Sequence, residues 1–139
     1  MEISFVAGFG PITRDHSAAL AFWSDGMGIA FEEAGPGYHA TDDLPGVKAF
    51  ALWPLAQAAE STFGSPQWPA DVPVPQAWVE LDVASPAAVA AAEAELAAAG
   101  HRILRATTEE PWGQTTARLL SPECLLVGVS HTPWMHPDT

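Results

Sequence analysis

Residues 76–83, QAWVELDV, alternate between polar and apolar side chains, a pattern typical of a β-strand with one buried face. A helix is predicted directly after this strand. Ser85 stands at the N-cap position and Pro86 at the first helical position, and the alanine-rich run that follows extends to Gly100. The passage therefore predicts a strand that leads into a helix.

The first half of the chain has the same plan. Residues 3–9 predict a strand, Asp15 is placed to cap a helix over 16–28, and three strands are predicted to follow, at 29–33, 38–42 and 47–53. After its own strand and helix, the second half also predicts three strands, at 101–107, 112–120 and 125–131. Between the halves, residues 55–75 are rich in proline and predict a linker with one short helix at 55–63.

This internal repeat predicts an α+β fold of two βαβββ modules within a single domain, 1–139. Module 1 covers residues 1–54, the linker 55–75, and module 2 residues 76–135. Each module gives a curved sheet with its helix on one side, so the other face must be covered by the second module or by a second chain. We expect the two sheets to form a cleft. A ferredoxin-like domain would need fewer strands per helix.

The charge balance excludes some classes of partner. The chain has 17 acidic and only five basic residues, a formal net charge of −12. Nucleic acids and anionic membrane surfaces are therefore not expected as partners, and no apolar run is long enough to cross a bilayer. The acidity favours a cationic small molecule or simply keeps the protein soluble.

The single cysteine, Cys124, excludes an internal disulfide and is consistent with a cytoplasmic protein.

Two segments carry a resemblance to a known superfamily. Residues 110–129, EPWGQTTARLLSPECLLVGV, and 78–100, WVELDVASPAAVAAAEAELAAAG, resemble the vicinal-oxygen-chelate superfamily of glyoxalase I, extradiol dioxygenases and bleomycin-resistance proteins. The closing hairpin looks like that of the bleomycin-resistance branch, which implies a homodimer. Because this superfamily hosts several chemistries, the resemblance is poorly specific for activity.

The hairpin turn departs from the superfamily's pattern, because Cys124 replaces the usual turn glycine. A residue other than glycine at positive φ costs about 1 kcal/mol, so either the turn changes type or the protein tolerates this cost. Cys124 could be a catalytic thiol, but it has no obvious basic partner in the sequence, which favours an incidental role.

The resemblance implies metal ligands (His, Glu or Gln) at four inward strand positions. Here three of them fall on Gly8, Trp78 and Gly128, and the fourth lies within 47–53, which contains no donor side chain. Glu80 is the single inward carboxylate that the pattern places. The five histidines are interpreted as surface or hydrogen-bonded residues, with His131 on the opposite face to Gly128. The sequence thus predicts no metal ligand and no cofactor.

The vacated positions predict a cavity for an organic ligand. Glycine in a strand interior usually marks a close approach, and Gly8 and Gly128 are expected to make room for the ligand. Tryptophan side chains either wall the cavity or pack in the core, and a few polar groups are expected to complete it. The candidate aromatic residues are Trp53, Trp78 and Trp112, and the candidate polar residues are Glu80, Gln114, Ser130 and Arg118.

Three functions are compatible with these patterns. The favoured one is metal-free binding and sequestration of a small aromatic or cationic molecule, such as an antibiotic. The second is an enzyme, either a lyase or isomerase with Glu80 as its base or a dioxygenase with an unrecognised metal site. The third is a partner-binding or regulatory module whose cleft is filled by side chains.

Overall fold

The computed structural model describes residues 1–137. It contains eight strands: β1 Phe5–Thr13, β2 Glu32–Gly35, β3 Tyr38–Thr41, β4 Phe50–Pro54, β5 Ala77–Asp82, β6 Arg105–Glu109, β7 Thr115–Leu120 and β8 Leu126–His131. The helices are α1 His16–Leu20, which continues as a π-helix over Ala21–Gly26, α2 Leu55–Phe63 and α3 Pro86–Ala98; a 3-10 turn covers Pro133–Met135.

All eight strands form one open sheet in the order β2-β3-β4-β1-β5-β8-β7-β6. Strands β1 and β5 pair antiparallel at the centre and join the two βαβββ halves. Within each half, the first and last strands pair parallel, β1 with β4 and β5 with β8. The α+β architecture predicted from the repeat is therefore confirmed.

The predicted helix caps are present. The Asp15 carboxylate accepts a hydrogen bond from the backbone N–H of Ala18 at 3.0 Å. The Ser85 hydroxyl accepts one from the N–H of Ala88 at 3.1 Å, with Pro86 at the start of α3. These side chains satisfy N–H groups that have no partner within the helix. Helix α3 packs on β7 and β8 through a small core: Val83, Val89, Ala92, Ala117 and Val129.

Several predicted boundaries are wrong. The strand expected at 101–107 begins at Arg105, because Gly100 takes φ +93° at the end of α3 and the chain reaches its partner strand only later. The strand expected at 47–53 begins at Phe50. The first helix widens after Leu20 into a π-helix, in which the Met27 N–H donates to the Phe22 carbonyl at 2.9 Å.

The turn between β7 and β8 keeps the conformation that the glycine would have taken. Cys124 has φ +66°, and its N–H donates to the Ser121 carbonyl at 2.9 Å. The protein therefore tolerates the cost of a left-handed cysteine.

Among residues 1–137, no helix combines the length and apolar content needed to span a bilayer.

Candidate functional site

Four residues form a row across the centre of the sheet. Gly8 on β1 pairs with Glu80 on β5, Glu80 pairs with Gly128 on β8, and Gly128 pairs with Arg118 on β7. Paired residues of adjacent strands project from the same face of a sheet. The two charged side chains of the row are thus separated by a glycine.

Gly128 allows the Glu80 carboxylate to lie over β8. A Cβ atom added at Gly128 would overlap the Glu80 carboxyl group. Strands are spaced about 4.8 Å apart, so Glu80 and Arg118 stand about 10 Å apart at their backbones. Their side chains nevertheless meet, with Arg118 Nη2 lying 3.5 Å from Glu80 Oε1. The expectation that Gly128 faces an open cavity is wrong, because the Glu80 carboxylate fills the space above it.

Gly8 has an equivalent role under Trp78. A Cβ atom at Gly8 would lie 2.7 Å from the indole ring of Trp78. The ring extends across β1, and its Nε1–H donates to the Ala51 carbonyl at 3.2 Å. Trp53 meets Trp78 edge-on, with ring centroids 6.0 Å apart. The two glycines therefore let one large and one charged side chain lie flat on the sheet.

A buried charge cluster surrounds Arg118. Its Nη1 donates to Glu110 Oε1 at 3.0 Å and to the Ser61 hydroxyl at 2.9 Å. Ser61, on α2, also donates to Glu110 at 3.2 Å. Two carboxylates, Glu80 and Glu110, thus share one guanidinium, which also lies 5.2 Å from the ring of Trp53. The site carries more negative than positive groups.

Burial and these charges act on the pKa values of the site. Desolvation raises the pKa of Glu80, and the negative charges of Glu110 and Asp82 add to this effect; Arg118 and a hydrogen bond from Ser130 oppose it. Burial and the Glu80 charge raise the pKa of Tyr38 to about 12. Tyr38 therefore stays a neutral phenol at neutral pH.

Glu80 and Arg118 of this cluster line a cavity of about 610 Å³, whereas Glu110 and Ser61 are not among its lining residues. Both halves of the chain contribute to its lining, and most of the predicted site residues are among the residues that line it: Gly8, Trp53, Trp78, Glu80, Trp112, Gln114 and Arg118. Ser130 is not among them, because it is fully buried, with its hydroxyl oxygen in a hydrogen bond with the Thr116 hydroxyl at 2.9 Å. Gly128 is likewise separated from the cavity by Glu80.

One wall of the cavity is fixed by side-chain hydrogen bonds. The Trp112 Nε1–H donates to the Gln114 carbonyl oxygen at 3.0 Å, and the Gln114 amide donates to the Thr132 hydroxyl at 2.9 Å. Trp112 itself is 54% exposed at the rim. Its indole is therefore held in place while one face remains accessible.

The prediction that Glu80 is the single inward carboxylate is wrong. Asp82 is fully buried and Glu110 is 6% exposed. Asp82 belongs to the same alternating face as Glu80, so the pattern already placed it inward. Glu110 gave one local signal, its position directly before Pro-Trp-Gly. No local signal pointed to Ser61, which binds Arg118 and Glu110, or to three further residues that line the cavity: Tyr38, Trp134 and Met135.

The residues present do not fit the metal site that the resemblance implies. Two of the four positions are glycines whose space is filled by other side chains, and a third is Trp78. The fourth lies within 47–53, which contains no His, Asp, Glu, Gln or Cys. Three or four converging donors are needed to bind a divalent ion, and these positions supply none.

Comparison with known proteins rests on structure. No protein-family model and no curated protein matches the sequence. Many solved structures share the fold. A glyoxalase/bleomycin resistance protein/dioxygenase superfamily member from Vibrio splendidus 12B01 is 17% identical, with a TM-score of 0.60 over 92% of this chain and 98% of that chain.

Two further structures come from proteins named as enzymes. The methylmalonyl-CoA epimerase of Streptomyces coelicolor is 15% identical, with a TM-score of 0.55 over 95% of this chain and 99% of the epimerase. The Mn(II)-bound glyoxalase of Novosphingobium aromaticivorans is 24% identical, with a TM-score of 0.51 over 94% of this chain but 38% of the glyoxalase. The chain therefore has the fold of the vicinal-oxygen-chelate (glyoxalase/bleomycin resistance/dioxygenase) superfamily.

Proposed function

We propose that this protein binds and sequesters a flat, cationic small molecule in its central cavity, without a metal ion in the cleft, in the manner of a bleomycin-resistance protein. One observation carries the proposal: aromatic side chains wall a cavity that is also lined by the buried Glu80–Arg118 ion pair, and a second carboxylate, Glu110, is bound to the same guanidinium. Three of the four positions at which relatives of this fold would hold a metal are glycine or tryptophan here, and the fourth lies within 47–53, which contains no donor side chain.

The dimensions of the cavity suit an organic ligand. Its volume of about 610 Å³ lies in the range of about 300–1,000 Å³ that is usual for small-molecule sites. Trp53, Trp112 and Tyr38 present indole and phenol surface to it. Planar groups stack on such surfaces, and cations are attracted to the ring faces by about 0.5–2 kcal/mol per contact.

The charge of the site favours a cation. Glu80 and Arg118, which line the cavity, carry one charge of each sign, and Glu110 adds a second carboxylate on the same guanidinium. The net charge of −12 also creates a negative field around the whole molecule, which increases the rate at which cations arrive. A ligand with a planar aromatic body and one positive nitrogen would satisfy both features of the site.

The affinity expected of such a site is moderate. At about −0.3 kcal/mol per non-hydrogen atom, a ligand of about 20 atoms binds with about −6 kcal/mol, or a Kd of tens of micromolar. Sequestration at this affinity acts by mass action and requires no chemical step.

The test is a titration of three probes, followed by isothermal calorimetry and tryptophan fluorescence. Proflavine is a planar cation, bleomycin a glycopeptide antibiotic and menadione a neutral quinone; the anionic dye 1-anilinonaphthalene-8-sulfonate serves as the charge control. We expect proflavine to bind with one site per chain and the anionic dye to bind at least tenfold more weakly. Binding of the anion at equal strength, or no binding by any probe, would contradict the proposal.

Two exposed aromatic residues provide a matched pair of variants. Trp112 is 54% exposed and lines the cavity, whereas Phe22 is 57% exposed and is not among its lining residues. Trp112→Ala should weaken proflavine binding about five- to thirtyfold, and Phe22→Ala should leave it unchanged. Equal effects of both substitutions would place the dye outside the cavity.

A lyase or isomerase is the second candidate function. The observation that favours it is that the Glu80 carboxylate lines the cavity, where it could abstract a proton from a substrate, beside the positive charge of Arg118. Glu80→Gln separates the two functions: it would abolish turnover in an enzyme, while a binding protein would lose only affinity for cations, with menadione unaffected.

A homodimer is also proposed, on the resemblance to the bleomycin-resistance branch. Since residues of both halves of one chain line the cavity, a second chain would stabilise the cleft and is not needed to form it. Sedimentation equilibrium at micromolar concentration tests this part. A monomer would leave the binding proposal intact.

A further inference from the structure

A second group of polar side chains lies where β5 and β8 end, beside the 3-10 turn Pro133–Met135. Asp82 Oδ1 is 2.5 Å from His136 Nε2 and 3.9 Å from His131 Nδ1. The two imidazole rings are tilted against each other with centroids 4.4 Å apart. One donor atom from each of the three side chains lies within 4.8 Å of the other two.

Hydrogen bonds orient two of these side chains for a further ligand. His131 Nδ1 donates to the Val83 carbonyl at 2.9 Å, which fixes the tautomer and leaves the lone pair on Nε2. Asp82 Oδ2 accepts from the Thr132 N–H at 2.9 Å. Histidine and carboxylate ligands of metal ions are usually held by such outer hydrogen bonds.

We propose that Asp82, His131 and His136 form a binding site for Zn²⁺. The inference does not depend on the proposed function, and the site is separate from the four strand positions that the resemblance implies. It revises the prediction that none of the five histidines is a metal ligand, which rested on strand parity for His131 and on the position of His136 in the tail. The fold brings that histidine, 54 residues away, onto Asp82.

Ion binding requires His136 and the His131 ring to move, because the lone pair of His131 is on Nε2, whereas the 3.9 Å separation from Asp82 is that of Nδ1. Zinc–ligand bonds of about 2.0–2.1 Å in a tetrahedral site place ligand atoms about 3.3 Å apart. The ion would replace the proton shared by His136 and Asp82 and separate these groups by about 1 Å. His136 follows the 3-10 turn near the chain end and is less buried than the other two, so it can make this movement.

The ligand set favours zinc over the hard cations. Two imidazoles and one carboxylate are typical of Zn²⁺ and other borderline metals, whereas Mg²⁺ and Ca²⁺ prefer oxygen ligands. A water molecule would occupy the fourth coordination position of the zinc ion. Because His131 and His136 bracket Thr132–Met135 and Asp82 lies on β5, the ion would hold this turn against the sheet, and with it Trp134 and Met135 of the cavity wall.

The experiment is a zinc titration of the full chain after chelator treatment, followed by calorimetry and thermal unfolding. We expect one Zn²⁺ per chain, and at a hundredfold excess over Kd a rise in Tm of about 5–10 °C. Co²⁺ should give the intense visible absorption of a tetrahedral site. A six-coordinate, weakly absorbing Co²⁺ spectrum, or no binding, would overturn the proposal.

Two histidine variants show where the ion binds. His136→Gln retains an amide that can donate to Asp82 and should lower zinc affinity at least tenfold, whereas the exposed His101→Gln should have no effect. His39→Gln disrupts the other histidine pair, His16 with His39, whose ring nitrogens are 2.8 Å apart. Loss of binding in His39→Gln with normal binding in His136→Gln would place the ion elsewhere and refute the site.

Discussion

Replacement of Gly128 by alanine tests the central arrangement of the sheet. The added methyl group would occupy the position of the Glu80 carboxyl group. Because the backbone on both sides is held in the β5–β8 ladder, Glu80 must move and its contact with Arg118 across β8 must lengthen. A substitution that is ordinarily mild in a strand therefore becomes destabilising here.

The size of the stability loss in Gly128→Ala follows from opposing effects. Separation of a buried ion pair costs about 3–5 kcal/mol, because one charge is left without its partner. Alanine recovers about 0.5–1 kcal/mol of backbone entropy relative to glycine. Glu80 also borders the cavity, where water can partly solvate it, and Arg118 keeps Glu110 as a partner. We expect the free energy of unfolding to fall by about 2–4 kcal/mol.

Urea unfolding monitored by tryptophan fluorescence measures this loss, and Gly35→Ala is the matched control. Gly35 also lies in a strand, and an added Cβ there has no atom within 4 Å, so its replacement should change stability by less than about 1 kcal/mol. A double-mutant cycle tests whether Glu80 causes the loss: in the Glu80→Ala background, Gly128→Ala should leave the free energy of unfolding almost unchanged.

Two results would refute the reasoning. One is a loss for Gly128→Ala no larger than that for Gly35→Ala. The other is a large loss that persists undiminished when Glu80 is absent, because the cost would then arise from the strand backbone and have no connection with the carboxylate.

Three further predictions concern other parts of the fold. Ser85→Ala removes the acceptor for the Ala88 N–H and should lower the free energy of unfolding by about 1 kcal/mol in urea, with the far-UV spectrum unchanged. Glu110→Gln removes one charge from the buried pair with Arg118 and should cost about 1–3 kcal/mol; an increase in stability would contradict the assigned cluster. Burial, and then the charge of neighbouring His39, lower the pKa of His16 from 6.5, so the folded state binds fewer protons than the unfolded state. The stability that His16 contributes is therefore complete above pH 6.5 and falls as the pH drops below that value. Urea unfolding at pH 5 and 7.5, together with an NMR titration of His16, would verify this.

The parts of the fold that were predictable from the sequence are those set by local patterns. The alternation over 76–83 and the Ser85–Pro86 start gave β5 and α3 almost to the residue, since strand parity and helix capping depend on neighbours in sequence. The repeat of this plan gave the architecture. The π-helix over Ala21–Gly26 was not predictable, because one extra residue per turn leaves no mark in the hydrophobic pattern.

The candidate site was predictable only in part. Parity placed Glu80 and Gly128 on one face, but their overlap depends on the register of β5 against β8. The partners of Arg118 lie farther away in the sequence, with Ser61 57 residues distant on the linker helix. Such contacts are fixed by tertiary packing, and a single sequence carries no signal for them.

The structure of the protein in complex with proflavine tests the central claim most directly. We predict the ring system between Trp53 and Trp112, with a ring nitrogen directed toward the carboxylate of Glu80. A dye bound outside the cavity, or a metal ion coordinated beside residues 8, 78 and 128, would contradict the account.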